Sequence, residues 1–240
     1  MHMNRRVVAV IAAAGKGTRM GGAIPKQFVE LEGIPLLART LAVFECASVI
    51  DDIAVTVPAD LREYTSSTII APYGLKKVKA VIPGGPDRQS SVRSALLGLH
   101  SFINMDDGDL VLIHDGARPL VTEPQIESVV AVSACCCAVL GVLSKDTVKL
   151  ADDVGYVYST PDRSSVWIVQ TPQGFTYGNA VDMHMRAAQM GVCATDDAAL
   201  AERLNLPVRM VSGDYTNIKV TTPDDLMYAA SIIRSRAKSA

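Results

Sequence analysis

Lys16, Arg19 and Lys26 are spread through a loop that also carries Gly15, Gly17, Gly21 and Gly22, and an apolar run from Val7 leads directly into it. Glycines let backbone amides come close to a ligand, and cations interleaved with them favour an anion. The chemistry such a loop can do is to hold a polyphosphate. Two common phosphate loops do not fit. A Walker A loop joins Gly-Lys to Ser or Thr, whereas here Gly17 follows Lys16 and Val10 stands at the earlier glycine position. The dinucleotide fingerprint needs a third small residue where Met20 stands, and Asp60, beyond Pro58, reads as a helix-start residue rather than a strand-tip acid.

Four further groups of residues could act with that loop. His114-Asp115-Gly116-Ala117-Arg118-Pro119 closes an apolar run, and an acid there can bind a ribose hydroxyl or help hold a metal. The plainer reading is that Asp115 caps the following turn and pairs with Arg118, with His114 structural. Gly84-Gly85-Pro86-Asp87-Arg88-Gln89-Ser90-Ser91 offers backbone groups and hydroxyls that read a base edge, or a serine or Asp87 that simply caps a helix. Thr195-Asp196-Asp197 precedes a helix, where a capping threonine followed by acids would complement the macrodipole. Lys219, in Thr216-Asn217-Ile218-Lys219-Val220, adds a cation after a strand, a position where a lone lysine is usually solvated.

These groups must be carried by elements that alternate. Residues 6–14 form the first buried strand, apolar throughout as in a parallel sheet, and 35–46 a helix with Pro35 in its first turn. Strands are expected at 53–57, 78–82, 110–113, 135–142 and 208–212, and helices at 61–70, 89–102, 124–132, 180–190, 196–204 and 223–236. Alternation of this kind gives a right-handed, mostly parallel α/β sheet, whose ligands bind beyond the carboxyl ends of the strands. The glycine-bearing loops all follow strands and should meet at one mouth. Residues 144–169 break the pattern with short alternating stretches around Asp152-Asp153-Val154-Gly155, which reads as a hairpin arm projecting from a single domain, 1–240.

The formal charge of −2 gives no overall attraction to nucleic acid or anionic lipid, so a cationic site must be local. Cys135, Cys136 and Cys137 are consecutive, which matches no zinc or disulfide spacing; with Cys46 and Cys193 they are expected to be small buried residues in a reducing compartment. The apolar run 128–144 is shorter than the ~20 residues of a spanning helix. No signal peptide is visible before the first strand, so a cytoplasmic protein is expected, or a plastid stromal one if a targeting segment has been trimmed.

Taken together, A-A-A-G-K-G-T-R-M, P-K-Q, G-G-P-D-R-Q-S-S-V, H-D-G-A-R-P, K-D-T-V-K, D-R-S-S-V-W, Q-T-P-Q-G-F, T-D-D and T-N-I-K-V-T-T-P-D-D-L resemble the 2-C-methyl-D-erythritol 4-phosphate cytidylyltransferases. They run in order from residue 12 to residue 226. The resemblance implies a Rossmann-like nucleotidyltransferase that moves CMP from CTP to the phosphate of methylerythritol phosphate, with Mg²⁺ as cofactor. It places the catalytic cations on Arg19, Lys26 and Lys219. Nucleotide-binding positions fall on Ala13, Ala14, Gly15, Lys16, Gly17, Gly85, Ser91, Asp115 and Gly116, with Gly85 and Ser91 at the cytosine and Asp115 near ribose and magnesium. Arg118, Thr147, Arg163 and Thr195 would place the acceptor, Thr147 and Arg163 from the arm of a partner subunit, which implies a homodimer. Mg²⁺ is expected mainly through the CTP phosphates.

Two positions depart from the family pattern. Pro86 stands where relatives often have an acid, and offers only its carbonyl to cytosine. Gly116 replaces a common alanine, a change expected to be harmless. A cytidylyltransferase for another polyol phosphate, such as ribitol 5-phosphate, would share the nucleotide loops. A non-catalytic CTP-binding relative would have no need of both Arg19 and Lys26. Lys26→Ala is expected to lower the chemical rate far more than it weakens folding; an unchanged turnover number in single-turnover and steady-state assays would overturn that role.

Overall fold

The computed structural model describes residues 5–15 and 25–239. Lys16, Gly17, Arg19, Met20, Gly21 and Gly22 of the opening loop lie outside the described residues. β1 (Val7–Ala12) is buried almost throughout. A short hairpin follows, β2 (Glu30–Leu31) and β3 (Ile34–Pro35), whose turn residues Glu32 and Gly33 both have positive φ, as tight hairpins favour. Next come α1 (Leu36–Cys46), β4 (Asp52–Val57) and α2 (Arg62–Thr65). The helix expected over 61–70 is thus split: a 3₁₀ turn, Ala59–Leu61, precedes α2 and a π turn, Ser66–Ile70, continues it. The β-branched and hydroxyl residues there support a regular helix poorly.

β5 (Val78–Pro83), α3 (Arg88–Leu99), β6 (Leu110–Asp115), α4 (Glu123–Ser133) and β7 (Cys137–Leu143) continue the alternation. β8 (Leu150–Ala151) and β9 (Val157–Ser159) pair as a separate two-stranded ribbon. β10 (Trp167–Thr176), α5 (Tyr177–Gln189), α6 (Ala198–Arg203), β11 (Val208–Ser212) and α7 (Pro223–Ser239) complete the chain.

The seven-stranded sheet has the order β11-β7-β10-β6-β1-β4-β5. All its pairings are parallel except those of β10, which runs antiparallel to both β6 and β7. Alternate residues of β1 feed opposite cores. Val7, Ala9 and Ile11 join Leu41, Phe44 and Val129 on one face, whereas Val8 and Val10 join Leu96, Phe175 and Met183 on the other. Both faces of the sheet are therefore dry, which is why its central strands read as continuous apolar runs. A third, smaller cluster packs α7 through Ala229 and Ile232 onto Leu31, Leu36 and Leu120.

Two further expectations change. The arm is narrower than 144–169, because Trp167 already belongs to β10 in the centre of the main sheet. Pro172 and Gly174 disguise that strand in the sequence. The register shifts between Val169 and Gln173, where a residue without an N–H can be accommodated. Nor are the cysteines core residues as a group: only Cys137 is buried, at the start of β7, while Cys46, Cys135 and Cys193 are exposed and Cys136 is intermediate. Cys135 and Cys136 fall in the turn before β7, so their apolar character does not place them inside. No helix among the described residues is long and apolar enough to cross a membrane.

Phe175, fully buried on β10, packs in the α3–α5 core. Phe175→Ala is expected to lower the unfolding free energy by about 3–5 kcal/mol. Chemical denaturation monitored by far-ultraviolet circular dichroism would measure it; a loss near zero would contradict the placement of β10.

Candidate active site

Four strand ends, those of β1, β4, β5 and β6, are stitched side by side. The N–H of Ala13 donates to Thr56 O at 2.9 Å, that of Gly84 to Val57 O at 2.9 Å and that of Gly116 to Ala12 O at 2.9 Å. A cleft of about 270 Å³ opens there, and its lining includes Ala13, Ala14, Gly15, Lys26, Gly85, Ser91, Asp115, Gly116 and Lys219. Close backbone approach is essential at Gly84, where an added Cβ would overlap the Ala14 methyl and come within 2.9 Å of Ser91 Oγ. At Gly116 a methyl group would lie 3.0 Å from Ala13 Cβ and 3.3 Å from Leu37 Cδ1, so an alanine here would need a slightly wider fit.

Local chemistry shapes the side of the cleft next to α3. Asp87 caps α3: its Oδ1 accepts from the N–H of Ser90 at 2.7 Å, and Ser90 Oγ in return accepts from the N–H of Asp87 at 3.1 Å. Ser91 Oγ accepts from the N–H of Gly85 at 3.0 Å and donates to Asp87 O at 2.7 Å. Ser91 therefore braces the loop as well as lining it.

Asp115 is the electrostatic centre. Its Oδ1 lies 2.8 Å from Arg88 Nε and its Oδ2 2.7 Å from Lys219 Nζ, while Arg118 Nε stands farther off at 3.9 Å. The partner named by the plainer reading, Arg118, is thus the weakest of the three. Burial opposes ionisation of Asp115, but Arg88 and Lys219 outweigh it and hold the carboxyl well below the usual range. Arg88 continues the chain of charges, with Nη1 2.8 Å from Asp197 Oδ2, and Asp197 Oδ1 meets the buried His184 Nε2 at 3.1 Å. Burial disfavours the charge on Arg88, yet Asp197 and Asp115 raise its pKa overall. Removing one member of such a buried set typically costs about 3–5 kcal/mol, because the remainder is left uncompensated.

Arg88 is the residue that sequence reasoning missed. A cation in the first turn of a helix opposes the macrodipole, so Arg88 at the start of α3 was a signal that carboxylates face it. Which carboxylates they are could not be read along the chain.

His114 organises the same floor. It is fully buried, and since Arg118 O can only accept, Nε2 carries the proton donated to it at 3.1 Å. Nδ1 then accepts from Thr171 Oγ1 at 3.0 Å, and the same hydroxyl oxygen accepts from the N–H of Asp115 at 3.1 Å. A neutral ring thus ties β6 to β10 and fixes the turn that presents Asp115 and Arg118. Burial lowers its pKa to about 4.

A second hollow, of about 370 Å³, lies between the ends of β7 and β10 and the segment 214–219. Arg118, Lys145 and Lys219 line it against the single carboxylate of Asp146. Lys145 Nζ sits 3.5 Å from the centroid of the Tyr215 ring. The backbone carbonyl of Asn217 accepts from Arg118 Nη1 at 2.7 Å, which fixes the guanidinium at the hollow's edge. Lys219 lines both hollows. Thr147, Arg163 and Thr195 line neither; all three are exposed, and Arg163 Nη1 donates to Lys145 O at 3.2 Å. At the start of α6, Asp196 rather than Thr195 provides the side-chain cap, its Oδ1 accepting from the N–H of Ala199 at 3.0 Å. Among the described residues no three His, Cys, Asp or Glu side chains gather as a metal-ligand set.

The family model for 2-C-methyl-D-erythritol 4-phosphate cytidylyltransferase matches residues 7–235. Proteins of that name from Geotalea uraniireducens and Pelotomaculum thermopropionicum are 45% and 42% identical to the chain; each alignment covers 96% of it, and 97% and 95% of the relative. Among solved structures, 4-diphosphocytidyl-2C-methyl-D-erythritol synthase from Anaerococcus prevotii is 30% identical with a TM-score of 0.83, covering 96% of both chains. The cytidylyltransferase from Thermus thermophilus is 31% identical with a TM-score of 0.72, covering 94% of this chain and 98% of its own.

The depressed pKa of His114 has a sign that can be checked. The unfolded chain binds a proton near the ordinary value of 6.5, the folded one only at about 4, so stability present above 6.5 is lost as pH falls toward 4. Going from about pH 7 to about pH 5 should cost roughly 2 kcal/mol from this group. Urea titrations at the two pH values should show that loss, and His114→Gln should remove most of it; an equally steep acid limb in the variant would contradict the assignment.

Proposed function

The chain belongs to the 2-C-methyl-D-erythritol 4-phosphate cytidylyltransferase family, and we infer from its two hollows how it carries out that reaction. It transfers CMP from CTP to 2-C-methyl-D-erythritol 4-phosphate, giving 4-diphosphocytidyl-2-C-methyl-D-erythritol and pyrophosphate for isoprenoid synthesis. CTP takes the cleft at the ends of β1, β5 and β6, with the base against Gly85 and Ser91. Its triphosphate lies by Ala13, Ala14, Gly15 and Lys26, and Lys16, Gly17 and Arg19 belong to the same loop. The acceptor phosphate takes the hollow edged by Arg118. Lys219 carries this assignment: it lines both hollows, at the one wall where the acceptor oxygen and the α-phosphorus would meet.

A phosphate monoester has its second pKa at about 6, so the acceptor is largely ionised at neutral pH and needs no general base. One of its oxygens forms a bond to the α-phosphorus, the bond to the bridging oxygen breaks, and the electron pair leaves with pyrophosphate. The protein's task is to bring anions together and to stabilise charge in an in-line transition state. Lys219 and Lys26 serve that purpose, and Asp115 holds the Lys219 ammonium at 2.7 Å until the substrates are in place.

Mg²⁺ fits this site as an ion carried on the triphosphate, where it would neutralise phosphate charge. Asp87 and Asp115 are the carboxylates of the cleft; the first is engaged as a helix cap and the second by two cations, which supports a secondary part for the protein in holding the ion. The β8–β9 ribbon exposes Val154, Tyr156, Val157 and Tyr158, each more than half accessible. Those side chains support a homodimer in which the ribbon crosses to the partner and brings Thr147 and Arg163 to its acceptor hollow. Charged substrates that do not cross membranes unaided support a cytoplasmic location.

Pyrophosphate release from CTP should be measured with methylerythritol phosphate and with ribitol 5-phosphate, each with and without Mg²⁺. Release is expected with methylerythritol phosphate and Mg²⁺. Release with ribitol phosphate alone would overturn the acceptor, none with either would leave a CTP-binding protein, and Mg²⁺-independent turnover would overturn the part given to the ion.

A further inference from the structure

The first turn of α3 does more than cap a helix. The Gln89 side-chain amide clasps the backbone of a distant loop: Nε2 donates to Val192 O at 2.9 Å, and Oε1 accepts from the N–H of Ala194 at 2.9 Å. Arg88, one residue earlier, meets Asp197 at the far end of that loop. From β10, Gln173 Nε2 donates to Asp196 Oδ2 at 2.8 Å, and its Oε1 accepts from the N–H of Ala198 at 3.0 Å. Residues on both sides of Thr195 are therefore fastened by side chains from elsewhere, while Thr195 itself stays exposed. Holding an exposed hydroxyl in one place through its neighbours is what a binding loop requires and a plain connection does not.

The same turn of α3 carries Asp87 and Ser91, which shape the base side of the nucleotide cleft. We propose that Gln89 is a positioning residue for the acceptor substrate, fixing the loop that carries Thr195 in register with the nucleotide cleft. Gln89 does not itself line either hollow, so it acts through the loop and not by touching substrate. The proposal rests on the assignment of Thr195 to the acceptor, and its test separates the two.

Gln89→Ala removes both hydrogen bonds of the clasp. Gln89→Glu keeps an acceptor for Ala194 but loses the donor to Val192. Thr195→Val removes only the hydroxyl. Steady-state kinetics of the full-length enzyme with CTP and methylerythritol phosphate are compared at matched folded fraction, checked by thermal unfolding. Gln89→Ala is expected to raise KM for the polyol phosphate about tenfold, with KM for CTP and kcat within about twofold, and Gln89→Glu, which sets a carboxylate oxygen against the Val192 carbonyl, to raise it at least as much. A general loosening of the fold would instead raise both KM values together, and that result overturns the proposal. If Thr195→Val raises the acceptor KM but Gln89→Ala does not, the clasp is irrelevant to binding. Should Thr195→Val leave that KM unchanged, the loop does not bind the acceptor and the premise fails, whatever Gln89 does.

Discussion

A carboxylate buried at the tip of a parallel strand survives only if cations hold it, and Asp115 has them on both oxygens. Much of the site follows from that requirement. Arg88 must enter from the start of α3, against the helix dipole, so Asp197 must balance its remaining charge. Lys219 must come back from beyond β11 to reach the same group, and there it lines both hollows. Arg88 and Lys219 are thus held on separate oxygens of Asp115, with Asp197 taking the rest of the Arg88 charge. In the proposed reaction, entering phosphates meet cations already oriented, and little reorganisation is left for the reaction step.

The backbone around this set is held by β10. Running antiparallel between β6 and β7, it supplies Thr171, whose hydroxyl links the His114 ring to the N–H of Asp115. It also supplies Gln170, whose amide donates to Asp214 O at 2.9 Å, and Gln173, which secures the loop before α6. One strand therefore touches the floor of the cleft, the second hollow and the loop of Thr195. A parallel strand could not enter this position without another crossover helix, whereas an antiparallel one leads from the arm straight back into the sheet.

Electrostatics and packing divide the work. The two apolar faces of the sheet supply most of the stability, with residues such as Phe44, Leu96 and Phe175 wholly buried. The polar groups at the strand ends contribute little net stability once desolvation is counted. They specify instead: His114 and Thr171 fix the backbone that presents Asp115 and Arg118, and Gln89 and Gln173 fix the loop before α6.

By itself the sequence determined the alternation of elements and the family, because apolar period and motif order are local along the chain. It placed Lys26, Gly85, Ser91 and Asp115 at a common mouth through a rule of topology: strand ends of a parallel sheet face one way. The split of α2, the strand β10 concealed by Pro172 and Gly174, and the exposure of Cys135 depended on what packs against them. Only the tertiary structure decided which acids Arg88 answers, that Lys219 stands at both hollows, and that Gln89 holds a loop more than a hundred residues away. Ion pairs and amide clasps are set by distance in space, and a charge or an amide along the chain carries no mark of its partner.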